Sequence, residues 1–159
     1  MTDIFATAGS KFYIGQAKAA QSTNFVVADF AAQSWVEVTM VETIGAFGDE
    51  ASSITFDSIG QSRTYKLKGN RNAGDISLVT AIKYSDQGQA TLRGAETTSN
   101  NYAFKVLFND MPSGGTSGSI RYFVGLVMSA REQLDGANNV MKLNVTIAVN
   151  SNIVRVNAV

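Results

Sequence analysis

The sequence predicts a mainly β fold, an antiparallel β-sandwich or barrel with one short flanking α-helix over about residues 86–96. Three observations carry this. Met141, Leu143, Val145, Ile147 and Val149 alternate with Lys142, Asn144, Thr146 and Ala148, the period of a strand with one buried face. Weaker alternations recur along the chain, separated by Gly-, Asn- and Ser-rich breaks. Only Asp86, with Gln89 three residues on, marks a helix start.

The elements follow in order. Residues 1–10 read as an arm, and residues 151–159 as a tail, around one domain spanning 1–159. Phe12-Tyr13-Ile14 is a short strand closed by Gly15, and residues 16–24 are loop-like. Residues 25–32 fit either a strand or a helical turn. From Trp35 to Ile44, Val36, Val38, Met40 and Ile44 oppose Glu37, Thr39 and Thr43, which predicts one strand over about 34–44. Gly45 and Gly48 then mark a sharp change of direction before Asp49 and Glu50. Ile54 and Phe56 alternate with Thr55 and Asp57, and Tyr65 and Leu67 with Lys66 and Lys68. A turn over 70–74 leads to a strand over 75–85 with Ile76, Leu78, Ile82 and Tyr84 on one face.

In the helix, Ala90, Leu92 and Ala95 form a narrow apolar stripe, which Gly88 and Gly94 weaken by about 1 kcal/mol each relative to Ala. The last third holds Tyr102–Phe108, then Ile120–Met128, which is apolar on both faces as in a strand covered on both sides. Residues 110–119 between them read as a flexible hairpin tip, with Pro112 placed where no ladder amide is needed. Glu132–Asn139 reads as a turn. The pattern predicts about seven or eight strands.

Composition narrows function by what is missing. Histidine and cysteine are absent, which removes Ser-His-Asp and Cys-His nucleophiles, disulfides, and zinc, haem or iron–sulfur sites built on those ligands. Asp49-Glu50 reads as a solvated loop rather than a catalytic pair, and Gly114–Gly118 lacks the lysine of a phosphate loop. No enzyme, cofactor or metal site is expected. The formal net charge is zero, so the chain has no electrostatic footprint for holding nucleic acid. Charged residues are 16% of the chain against about 25% in typical domains, a surface prone to self-association. The N-terminus carries no evident signal peptide, and no apolar run is long enough for a membrane span. Trp35 is expected as a core or interface anchor. Lys66, Lys68 and Arg71 form a small basic cluster, read as a solvated face or as an intersubunit charge contact to a loop such as Asp49-Glu50.

Several motifs in order resemble the tail tube proteins (major tail proteins) of long-tailed bacteriophages. Ala8-Gly9-Ser10-Lys11-Phe12-Tyr13-Ile14-Gly15 is similar to that family's opening strand. Trp35-Val-Glu-Val, with Val41-Glu-Thr-Ile-Gly-Ala-Phe-Gly-Asp-Glu50, is similar to its tryptophan strand and glycine loop. Lys66-Leu-Lys-Gly69 and Asn72-Ala-Gly-Asp75 resemble its turn into the next strand, and Asp86–Leu92 its single helix. Phe123–Met128 and Val145–Val154 resemble its final hairpin. The segment between Gly15 and Trp35 is longer than in many relatives.

The resemblance implies a structural subunit. Hexameric rings stack into a hollow tube, and inner-sheet strands of all subunits join into one barrel around the lumen. Genomic DNA passes through that lumen during ejection without specific binding. Implied partners are copies of the same chain, tail tip or baseplate proteins and tail terminator proteins. The implied location is the virion tail, after synthesis and assembly in the host cytoplasm. Gly45, Ala46, Phe47, Gly48, Asp49, Glu50, Ile54 and Phe56 are the expected ring-stacking loop, with residues 110–119 and the two arms as further contacts. Glu37, Thr39, Ser77, Asn144 and Thr146 are the expected lumen lining. Rival readings are a tube subunit of a contractile tail or type VI secretion system, and a monomeric β-sandwich binding module on a virion or cell surface.

Overall fold

Strong period-two alternation puts one row of side chains inward, and β9 (Lys142–Val149) shows the result. Leu143, Val145 and Ile147 are buried, and the residues between them are partly exposed. The structure is a computed structural model and describes residues 4–159. The other strands are β1 (Lys11–Ala17), β2 (Val36–Val38), β3 (Val41–Thr43), β4 (Glu50–Phe56), β5 (Tyr65–Asn72), β6 (Asp75–Ala81), β7 (Tyr102–Leu107), β8 (Ile120–Gln133) and β10 (Val154–Val156). The only α-helix among the described residues is α1 (Gln87–Glu96), and a short 3-10 turn spans Val27–Phe30.

Eight strands form one antiparallel sheet in the order β2-β1-β7-β8-β9-β6-β3, with β10 beside the start of β8. Two features curl it around a core. First, β8 changes partner at Gly125: its first half pairs with β7 and its second half with β9. A Cβ at Gly125 would lie 2.6 Å from the Ala148 carbonyl oxygen, so only glycine allows this close crossing. Second, the two ends of the sheet, β2 and β3, are consecutive in the chain. The backbone switches between them at Met40, whose φ is 60°, and Ala81 N–H donates to the Met40 carbonyl at 2.9 Å. The interior holds Phe12, Ile14, Ile76, Leu78, Phe104, Phe123, Leu143 and Ile147, all fully buried. Each such side chain contributes about 1.5–3 kcal/mol by leaving water.

The expected single strand over 34–44 is therefore corrected to two short strands on opposite ends of the sheet. Met40 is 55% exposed rather than on the apolar face with Val36 and Val38. A left-handed backbone at a non-glycine residue breaks the alternation, and periodicity has no signal for it. The expectation for β8 holds: Phe123 faces the barrel, and Val124 faces a second cluster with Phe25, Phe30, Ala103 and Val154. Trp35 joins that cluster, 5.7 Å from the Tyr122 ring.

Asp86 caps α1 as predicted, accepting from Gln89 N–H at 3.0 Å. The second half of a capping box is not made. The Gln89 side chain instead donates to the Ala81 and Thr39 carbonyls (2.9 and 3.2 Å) and accepts from Lys83 N–H. It satisfies backbone groups that the strand break at Met40 leaves without ladder partners. The buried stripe of α1 is Gly88, Gln89, Leu92 and Ala95, and Ala90 is exposed. Gly88 is no helix flaw: a Cβ there would meet the Glu37 carbonyl and lie 2.7 Å from Val38 Cα, so glycine lets α1 lie on β2.

Three boundaries also move. β6 ends at Ala81, and Tyr84 is 73% exposed rather than on the buried face. β8 runs on to Gln133, into the expected turn. The tail over 151–159 contains β10, and Val159 exchanges backbone hydrogen bonds with Ser117. The segment expected as a flexible tip over 110–119 is tied down there and at Asp110, which accepts from Ser119 N–H (2.6 Å) and Ser119 Oγ (2.5 Å). Residues 1–3 of the expected N-terminal arm lie outside the described residues, while the Ala8 carbonyl accepts from Asn109 Nδ2.

Candidate assembly surfaces

β4 and β5 pair only with each other, as a hairpin that leaves the body after Gly48 and returns at Gly74. The register puts Ile54 opposite Leu67 and Phe56 opposite Tyr65. Directly opposed residues share a face, so these four form one apolar face, and all are 47–66% exposed. Ile59 in the connecting turn is fully exposed. Ser53, Thr55, Lys66 and Lys68 form the opposite face, and neither lysine makes an ion pair among the described residues.

The expected stacking loop divides in this arrangement. Gly45 (φ +85°) and Gly48 (φ +142°) turn the chain as expected. Phe47 points back into the barrel mouth, with its ring 6.2 Å from Phe123 and 6.3 Å from Phe108. Ala46 lies in this turn and is exposed, whereas Glu50, Ile54 and Phe56 belong to the projecting hairpin. Asp49 pairs with Arg71 of its own chain at 2.8 Å, a contact across the hairpin root. The Asp49–Arg71 contact expected between subunits is thus made within one subunit. Lys66 and Lys68 remain available on the hairpin.

The expected lumen residues also divide. Ser77 lies opposite Thr146, and Thr146 opposite Ser129; Asn144 lies opposite Arg131. They share the outward face of the β8-β9-β6-β3 layer. Lys142 pairs with Glu42 there at 2.9 Å, and Asn144 donates to Gln133. This face is polar and carries little net charge. Thr39 is committed elsewhere, donating from Oγ1 to Asp86 at 2.8 Å. Glu37 lies on the other layer, opposite Tyr13. The sheet break at Met40 separates both from the Ser77 face, so the shared parity of Glu37 and Thr39 does not put them beside it.

Structure shows features that periodicity hides. Neither edge of the layer is laddered further: Leu126–Gln133 of β8 ladders only with β9 and lies beside α1, whose Arg93 reaches Glu132 at 3.1 Å, and β3 ladders only with β6. At the end where β6 finishes at Ala81 and β9 begins at Lys142, Met40, Leu134, Val140 and Met141 are 48–66% exposed. Beside them is a depression of about 540 Å³ lined by Met40, Val140, Glu42 and Asp135. Elsewhere, burial lowers the Lys105 pKa, with its ammonium 4.2 Å above the Tyr13 ring. Hydrogen bonds from the Ser119 hydroxyl and amide hold the Asp110 carboxyl below the usual carboxylate range. No described helix is long and apolar enough to cross a membrane.

The sequence matches no family model and no curated protein. Solved structures share the fold. A chain of the anti-feeding prophage baseplate, seen by cryo-EM with sixfold symmetrisation, superposes with TM-score 0.70 at 9% identity, covering 98% of each chain. A chain from the PVC extracellular contractile injection system, at its sheath/tube terminator in the extended state, gives TM-score 0.67 at 9% identity, again over 98% of each. A chain of the SPP1 tail tube gives TM-score 0.60 at 10% identity, over 94% of this chain and 77% of that one. The chain therefore has the β fold found in tail-tube, baseplate and injection-system assemblies.

Proposed function

We propose that the chain is a structural tube subunit that catalyses no reaction. Copies close laterally into a hexameric ring, and rings stack into a hollow tube whose lumen passes genomic DNA. The observation that carries this reading is the β8-β9-β6-β3 layer, laddered further at neither edge, with edge strands running in opposite directions. Joining β3 of one copy to β8 of the next continues the antiparallel alternation without interruption. Closure into a ring then leaves no unpaired edge. The polar face of Ser77, Ser129, Asn144 and Thr146 would line the lumen, offering DNA neither an apolar nor a strongly basic wall. Glu37 and Thr39 are not part of that lining in this reading. The β4–β5 hairpin makes the contact between rings, because a two-stranded hairpin with a bare apolar face is marginal in water until something covers it.

The fold likeness supports two settings, a tail tube and a contractile injection apparatus, with baseplate and terminator proteins as partners. Negative-stain microscopy of concentrated purified protein tests the reading, alone and with a tail-tip initiator. Hexameric rings or tubes are expected. A strictly monomeric species under both conditions sinks it.

A further inference from the structure

The hairpin and the bare Met40–Met141 patch sit at opposite ends of the same strands. The hairpin returns into Asp75, the first residue of β6, which pairs with Ala148. The patch surrounds the other end, where Ala81 of β6 pairs with Lys142 and the β8–β9 connection carries Leu134, Val140 and Met141. One chain thus carries two uncovered apolar surfaces, one at each end of its axis along the sheet. If hairpins packed face to face, the contact would be isologous and would stop at two copies. A hairpin against the opposite end of another copy is heterologous and repeats without limit, as a stack requires.

Charge agrees with this pairing. Residues 50–72 hold Arg63, Lys66, Lys68 and Arg71 against Glu50 and Asp57, so the hairpin is basic and the remainder of the neutral chain is acidic. Lys66 and Lys68 lie on the face away from the apolar one and Arg71 is held by Asp49, so this charge acts as long-range attraction between copies and not as a contact in the docked face. The receiving depression carries Asp135, Glu42 and Lys142; Lys142 pairs with Glu42 at 2.9 Å, which leaves Asp135 as its net acidic charge. Length agrees too. β4 has seven residues, so the hairpin reaches about 23 Å from its root, enough to pass onto a copy in the next ring.

We infer that the apolar face of the hairpin (Ile54, Phe56, Tyr65 and Leu67) docks on the Met40, Leu134, Val140 and Met141 patch of a second copy in the adjacent ring. The inference rests on the tube reading and names the receiving surface within it. Two single-cysteine variants test it, since the chain has no cysteine of its own. Ser58→Cys and Asn139→Cys proteins, each altered beside the apolar contact rather than in it, are mixed, assembled and oxidised, and the disulfide dimers are mapped by mass spectrometry. Dimers joining position 58 of one variant to position 139 of the other are expected, dependent on assembly. Tubes that yield only 58-to-58 dimers, or none, overturn the receiving surface and leave the tube reading standing. Wild-type protein that forms neither rings nor tubes overturns both. Val140→Asp gives an independent measure. Rings should persist with unchanged circular dichroism, while the protein concentration needed for tubes rises about tenfold through loss of one buried aliphatic contact. Tube formation at the wild-type concentration would overturn the docking.

Discussion

Leu78 and Leu67 sit in similar alternating strands, yet Leu78 is fully buried and Leu67 is 66% exposed. The first belongs to the barrel, whose two layers cover one another, and the second to a hairpin that nothing in its own chain covers. Alternation says that a strand has an apolar face. It does not say whether the cover comes from the same chain. In the barrel the cover is intramolecular and the apolar face stabilises the fold. In the hairpin it must come from another molecule, so the same pattern encodes association.

The largest test of this contrast compares two phenylalanines. Phe123→Ala, in the closed core, should cost the monomer about 3–5 kcal/mol in urea unfolding at concentrations below assembly. Phe56→Ala should leave monomer stability within about 0.5 kcal/mol while abolishing tubes. Equal losses would mean that the hairpin packs on its own body, and the contrast would collapse. Phe47 belongs with Phe123 here. Deleting or stiffening Gly45–Gly48 removes a core aromatic with the turn, so the defect would reach the fold as well as assembly.

A smaller effect separates two glycines within α1. Gly88→Ala should destabilise by about 1–3 kcal/mol, because the new methyl meets β2 backbone. Gly94 has nothing within 4 Å of an added Cβ, so Gly94→Ala should gain up to about 1 kcal/mol. Thermal unfolding of both variants measures the difference, and equal effects would detach α1 from the barrel.

The smallest expected effect is local and depends on pH. Asp110 has a folded pKa below its unfolded one, so its stabilisation is present above the unfolded value of about 4. It is lost as pH falls through the lower folded value. The protection of the Thr116 and Ser119 amides, measured as exchange relative to the intrinsic rate at each pH, should therefore fall in acid, and Asp110→Asn should remove that acid dependence. An unchanged acid response in the variant would assign the loop's anchoring to the Val159 contacts alone.

Much of the barrel was legible in the residues. The β9 alternation, the two-sided apolar run of β8 and the Asp86 cap were each local signals with a local cause, and each appears in place. The strand break was not legible, because one left-handed residue at Met40 leaves composition and period almost unchanged. Nor was the second role of Gln89. A glutamine at the third helical position looks like half a capping box until its partners, the Thr39 and Ala81 carbonyls, are brought beside it from elsewhere in the chain. Ser77, Asn144 and Thr146 share one face, as parity implies, because their strands are neighbours, while Glu37 and Thr39 lie apart from that face because parity does not carry across a break.

The sequence by itself determined the class of fold, the position of the helix, and the lack of histidine and cysteine chemistry, since these depend on residue types and their spacing over a few positions. Only the tertiary structure decided which apolar faces are covered. Burial depends on contacts between segments far apart in the chain, and the same run of alternating residues becomes core or docking surface according to what lies opposite.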